Sequence, residues 1–188
     1  MKVLIADDES IIRMDLRETL EGAGHQVVGE AANGAEAVKL AGELGPDVVL
    51  LDVKMPKKTG LAAAEQITKR KIAPCIILTA YRDRKLIEKA KKSGAYTFLT
   101  KPFNEPELIA AIELATSRFA EVRALEKELA DTRAGLEARK LIDRAKGLLM
   151  DRYNLKEGDA FRMLQKRAMD SRRTLAEAAR EVLAREKV

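Results

Sequence analysis

Five side chains stand at positions where they could do phosphoryl chemistry. The apolar run Val48-Val49-Leu50-Leu51 ends abruptly in Asp52, and a turn, Val53-Lys54-Met55-Pro56, follows. A carboxylate delivered at the C-terminal end of a strand in an open parallel sheet meets solvent, and such edges are where ligands and reactive groups gather. Asp7 and Asp8 follow the short apolar run at 2–6, Thr79 ends another at 75–79, and Lys101 ends a third at 95–100. Three carboxylates in one cleft repel each other, and a hard divalent cation that takes oxygen ligands relieves that repulsion; Mg²⁺ is the expected ion. An Asp carboxylate can attack phosphorus to give an aspartyl phosphate. The Lys101 ammonium and the Thr79 hydroxyl would then each hold a phosphoryl oxygen.

Those residues share an edge only if the runs form one sheet, and the pattern between them requires it. Apolar runs at 2–6, 26–31, 47–51, 75–79 and 95–100 read as strands. Helical spacing follows each: Ile11, Ile12, Leu16 and Leu20 after a Ser10 cap, Ala37, Val38 and Leu40 after the Asn33-Gly34 turn, then 60–70, 83–92 and a helix after Pro106. Strands alternating with helices through short connections predict an α/β fold with right-handed crossovers and a five-stranded, doubly wound, flavodoxin-like parallel sheet. The Lys101-Pro102 bond is one that can be cis.

Composition narrows the chemistry further. One cysteine, Cys75, and one histidine, His25, exclude an intramolecular disulfide and a four-cysteine zinc site, and no transition-metal site is expected. No apolar run approaches the ~18 residues of a membrane span, and the chain begins without an export leader, so a cytoplasmic protein with no membrane partner is expected. Charge is uneven: residues 1–103 carry +3, 104–135 carry −3 and 136–188 carry +5. A basic helical tail is the footprint of a nucleic-acid partner, although a solvated surface can give the same excess.

Residues 1–118 resemble the receiver domain of two-component response regulators. Asp7-Asp8, Asp52-Val53-Lys54-Met55-Pro56 with Gly60, Leu78-Thr79-Ala80 and Lys101-Pro102-Phe103 match that family's pattern in order and spacing. The resemblance implies phosphorylation of Asp52 by a sensor histidine kinase. It further implies Mg²⁺ on Asp8, Asp52 and the main-chain carbonyl of Lys54, with Asp7 assisting through water. Thr79 and Phe98 become a switch pair, and the domain becomes a switch rather than an enzyme acting on outside substrates.

Beyond the receiver, residues 119–188 form a second part. Leu108, Ile112, Ala115, Phe119, Val122, Leu125, Leu129, Thr132 and Leu136 recur at a mean step of 3.5 residues, the coiled-coil period. A long helical rod and a homodimer through it, formed on phosphorylation or already present, are expected. Residues 137–152, 157–170 and 174–185 then read as a small three-helix module, with Tyr153-Asn154-Leu155 and Ser171-Arg172-Arg173 as breaks. Leu141, Ala145, Leu148 and Leu149 would pack against Ala160, Phe161, Leu164 and Ala168 and against Leu175, Ala178, Ala179 and Val182. Met150, Phe161 and Met169 are expected in this core.

The string Ala145-Lys146-Gly147-Leu148-Leu149-Met150, then Ala160-Phe161, Leu164, Ala168-Met169, Leu175 and Ala178-Ala179, resembles the ANTAR domain, an RNA-binding module of antitermination regulators. The resemblance implies that paired hairpin RNAs are bound and that readthrough of a terminator follows. From the residues alone, Lys140, Arg144, Lys146, Arg167, Arg172 and Arg173 are the expected RNA contacts, because cations neutralise phosphates and guanidinium planes can carry unstacked bases. Two other readings remain open at this point: a DNA-binding transcriptional regulator, and a phosphorylation-dependent protein-interaction switch.

Overall fold

The computed structural model describes residues 1–80 and 95–184. The helix expected over 83–92 and the last residues of the chain lie outside them. The chain divides into two compact units, Met1–Arg123 and Ala124–Val188.

In the first unit, β1 (Lys2–Ala6), β2 (Gln26–Ala31), β3 (Val48–Asp52), β4 (Cys75–Thr79) and β5 (Thr97–Thr100) form one sheet in the order β2-β1-β3-β4-β5. Every pairing is parallel. The central strands are continuous apolar runs because both of their faces are covered, which is what a parallel sheet with crossover helices demands. On one face, Leu4, Val49, Leu51 and Ile77 pack with Ala37, Ala41, Ala63, Ala64 and Ile67 from α2 (Gly34–Leu44) and α3 (Gly60–Lys69). On the other, Val3, Ile5, Leu50 and Ile76 meet Leu16 and Leu20 of α1 (Ser10–Gly22) and Leu108, Ile112 and Ala115 of α4 (Glu105–Tyr153).

The helix starts are set by local hydrogen bonds. Asn33 Oδ1 accepts from Glu36 N (3.0 Å) and Thr59 Oγ1 from Ala62 N (3.3 Å), so each satisfies an orphan donor at a helix start. Asn104 and Glu107 form a reciprocal capping box that starts α4. Ser10 does not cap α1: it is the first helical residue, and Glu9 holds the cap position without a side-chain bond. β5 is shorter than its apolar run suggests, beginning at Thr97.

The tail departs from the sequence expectation first in its helix boundaries. Gly135 does not interrupt the chain, and α4 runs unbroken for 49 residues, so the first helix of the small module is the end of the rod. Strong helix formers on both sides, among them Ala134, Leu136, Glu137 and Ala138, offset the ~1 kcal/mol that one glycine costs. α4 ends where Asn154 takes a left-handed backbone (φ 50°). Then come α5 (Glu157–Ser171) and α6 (Leu175–Ala184), the latter opened by a Thr174–Glu177 capping box. The Thr174 backbone N–H, then its hydroxyl, hold the Glu177 carboxyl below the usual carboxylate range.

The second unit's core is Ala145, Leu149, Ala160, Leu164, Ala168, Ala178, Ala179 and Val182. It is small and alanine-rich, as close helix packing requires. Met150 packs against it from the edge. Met169, expected inside, is 77% exposed, and Phe161 is half-buried outside the core. Both lie on α5, whose apolar stripe is wider than the area its two neighbours cover.

Candidate functional site

The C-terminal edge of the sheet gathers the predicted residues. Asp52 is the last residue of β3 and pairs with Leu78, while Thr79 pairs with Thr100, so Lys101 leaves β5 beside Thr79. The Lys101 backbone N–H donates to the Thr79 carbonyl (2.7 Å), and the Lys101-Pro102 peptide is cis. Lys101 Nζ donates to Asp7 Oδ2 at 2.7 Å and to Asp52 Oδ1 at 2.9 Å. Burial disfavours the ammonium, but these two carboxylates outweigh that cost and raise the lysine above its ordinary pKa.

Each carboxylate is fixed by backbone. Asp52 Oδ2 accepts from Lys54 N (2.7 Å) and Asp7 Oδ1 from Glu9 N (3.0 Å). Asp7 is buried, Asp52 retains 14% of its side-chain surface, and Asp8 faces solvent. Asp8, Asp52, Lys54, Thr79 and Lys101 line one open cleft of about 280 Å³, with Glu9 and Ile12 at its rim. Thr79 is buried at the cleft wall, whereas Phe98 is 39% exposed on β5.

Gly60 keeps the Asp52 end of the strand in place. Its N–H donates to the Val53 carbonyl (3.1 Å), and a Cβ at this position would overlap the Asp52 carbonyl. Arg13 is a positioning residue that the sequence pattern did not single out. Its Nη1 donates to the Asp7 carbonyl (2.8 Å) and its Nε to Glu30 (3.1 Å), tying α1 and β2 to the edge. Its only sequence signal is an arginine on the α1 turn after the acidic pair.

The donor set fits a hard cation. Three aspartates against one ammonium leave negative charge uncompensated, with Asp8 and Asp52 lining the cleft and Asp7 bound to Lys101. The three carboxylates do not, however, converge as the sequence suggested: among the described residues no three potential ligands are gathered at metal-binding distance. Lys101 stands between Asp7 and Asp52, and Asp8 points to solvent.

In the second unit the predicted RNA contacts divide by their existing partners. Lys140 pairs with Glu137 (2.8 Å), Arg173 with Glu181 (3.4 Å), and Lys146 with both Glu157 (2.7 Å) and Asp143 (2.9 Å). Hydrogen bonds that its ammonium donates to Glu157 and then to Asp143 raise the Lys146 pKa, so this lysine ties α4 to α5. Arg144 and Arg172 are exposed and Arg167 half-buried, and none of the three has an ion-pair partner among the described residues. Arg172 caps α5 in a left-handed conformation (φ 52°), presenting the turn before α6. Arg152 and Tyr153, which sequence reasoning treated as a helix end and a break, flank a cleft with Arg167.

Comparisons with known proteins match both units. The profile of the response regulator receiver domain matches residues 3–113, and that of the ANTAR domain residues 130–183. The transcriptional regulatory protein PdtaR of Mycobacterium tuberculosis is 50% identical over 182 residues, covering 97% of this chain and 89% of that protein. The chemotaxis protein CheY of Thermotoga maritima is 38% identical over 112 residues, 59% of this chain and 93% of that one. Among solved structures, the response regulator domain of Thermotoga maritima CheB superposes with a TM-score of 0.58 at 32% identity, covering 62% of this chain and 96% of that one.

Proposed function

The chain belongs to the response-regulator family, joining a receiver domain to an ANTAR domain, and from this membership we propose that phosphorylation of Asp52 by a sensor histidine kinase controls hairpin-RNA binding by the tail, favouring transcription antitermination. The observation that carries the receiver half is Lys101 bridging Asp7 and Asp52 at the mouth of an open cleft. An Asp52 oxygen attacks the phosphorus of a phosphohistidine; the new O–P bond replaces the donor's P–N bond, and the imidazole leaves. Lys101 then exchanges one carboxylate contact for a phosphoryl oxygen, and Thr79 donates its hydroxyl to another.

Asp8, Asp52 and the main-chain carbonyl of Lys54, with Asp7 through water, would hold Mg²⁺, which when bound supplies positive charge opposite the phosphoryl oxygens. Movement of Thr79 toward the phosphoryl group opens space that Phe98, exposed before the reaction, turns to fill. The rod carries the consequence onward. Val122, Leu125, Leu129 and Leu136 are 41%, 58%, 51% and 55% exposed along one stripe of α4, and pairing with a second copy would cover them.

The test uses the full chain with acetyl phosphate and Mg²⁺. A base-labile, hydroxylamine-labile phosphoryl group on Asp52, and tighter binding to hairpin RNA than to loop-free RNA duplex or to DNA duplex, are expected. Labelling that survives Asp52→Asn would refute the acceptor, and equal affinity for duplex DNA would favour a DNA-binding regulator instead.

A further inference from the structure

The second unit contains an open cleft of about 280 Å³ bounded by Leu148, Leu149, Arg152, Tyr153, Arg167 and Val182. Leu148, Leu149 and Val182 give it apolar walls, the last two almost wholly buried, and two guanidiniums and one phenol line it as well. Neither Arg152 nor Arg167 has an ion-pair partner among the described residues, whereas Lys140, Lys146, Arg162 and Arg173 are each paired with a carboxylate. Tyr153 is 47% exposed at the last turn of α4, where the left-handed Asn154 ends the helix.

From this geometry we infer that the cleft takes one unstacked nucleotide from an RNA loop, its base against Tyr153 and the aliphatic walls and its phosphate between Arg152 and Arg167. This rests on the RNA-binding reading of the tail and gives that reading a location. Apolar walls and the exposed Tyr153 ring favour a base face over a phosphate alone, while two cations with no ion-pair partner among the described residues favour a phosphate over an apolar peptide side chain. Only a nucleotide uses both. The cleft is too small for a stacked base pair, so a duplex stem contacts it only along the rim, and discrimination between loop and stem follows from the shape. Aromatic stacking is tolerant of base identity, so Tyr153 gives loop preference and leaves sequence preference to other contacts.

The experiment titrates the whole 188-residue chain with a labelled hairpin RNA of fixed stem and randomised loop, and with the same stem closed as a loop-free duplex. Tyr153→Ala is expected to weaken hairpin binding roughly tenfold and leave duplex binding unchanged. Arg152→Ala and Arg167→Ala should each weaken hairpin binding and lower the slope of log affinity against log salt by about one phosphate contact. Circular dichroism melts check folding, and Tyr153→Leu, which keeps apolar bulk at the helix end, replaces the alanine variant if that one melts early. In a second readout, thiouridine placed in the loop should crosslink under ultraviolet light to the peptide containing Arg152 and Tyr153. If the wild-type protein prefers the hairpin but the three variants bind it equally well, and the crosslink maps elsewhere, the cleft belongs to another occupant and the inference is overturned. If the wild-type protein shows no preference for the hairpin over the duplex, the RNA reading itself fails.

Discussion

At the scale of single residues, Asp52 depends on neighbours that perform no chemistry. Gly60 is one, because any Cβ there would meet the carbonyl that ends β3. Gly60→Ala is expected to cost about 1–3 kcal/mol by overpacking and to slow phosphoryl uptake at Asp52. Urea unfolding and acetyl phosphate labelling check both effects, and an unchanged unfolding midpoint would contradict the first. Arg13 is another, held by Glu30 while it binds the Asp7 carbonyl. Hydrogen bonds from Arg17 lower the Glu30 pKa, burial opposes the shift, and Arg13 adds to it. A depressed carboxyl contributes stability above its ordinary pKa and loses it as pH falls through the lowered value. Glu30→Gln should therefore destabilise by no more than about 1 kcal/mol at neutral pH, given the pair's exposure, and the gap to wild type should close in acid. A gap of equal size in acid would show that the effect is not ionic.

At the scale of elements, the strand ends were readable in the sequence because a parallel sheet places every strand's C-terminus on one edge. Asp7, Asp52, Thr79 and Lys101 could be placed together with no knowledge of distances. The sequence could not show that Lys101 already spans two aspartates, since that depends on side-chain reach. The separate helix expected over 137–152 also failed, because Gly135, a residue that usually punctuates, lies inside α4. No atom lies within 4 Å of a Cβ added there, so Gly135→Ala should stabilise α4 by roughly 0.5–1 kcal/mol, read as a higher melting temperature by circular dichroism. A lower one would mean that the glycine serves a contact made only in an assembly. Helical periodicity misplaced Met169 because it reports a stripe without reporting how much of it neighbouring helices cover. The exposed stripe on the rod has its own test. Leu129→Glu should leave the monomer folded, since Leu129 is 51% exposed, and should abolish self-association in sedimentation. A variant that still pairs as well as wild type would remove the rod from the interface.

At the scale of the whole molecule, the two units carry different chemistry: an acid-lined cleft in residues 1–123 and a basic, cleft-bearing module after it. A receiver without an output, or an RNA module without an input, would need only one of these. Their union on one chain is what the 50% identity to a full-length transcriptional regulatory protein extends over, since the match covers 97% of the residues. In the sequence an acidic, heptad-spaced segment lies between the two patterns and the receiver resemblance puts the boundary at residue 118, while the compact units divide between Arg123 and Ala124. The cleft lined by Arg152, Tyr153 and Arg167 was not legible in the sequence, because these residues meet only when α4, α5 and α6 pack. The coupling between the two sites is the central claim, and one titration tests it directly. Hairpin-RNA affinity is measured for wild type and Asp52→Asn, each with and without acetyl phosphate in the presence of Mg²⁺. The wild-type affinity should change on phosphorylation, and that of Asp52→Asn should not. An equal response in both proteins, or a labelled wild type whose affinity is unmoved, would contradict control of RNA binding through Asp52.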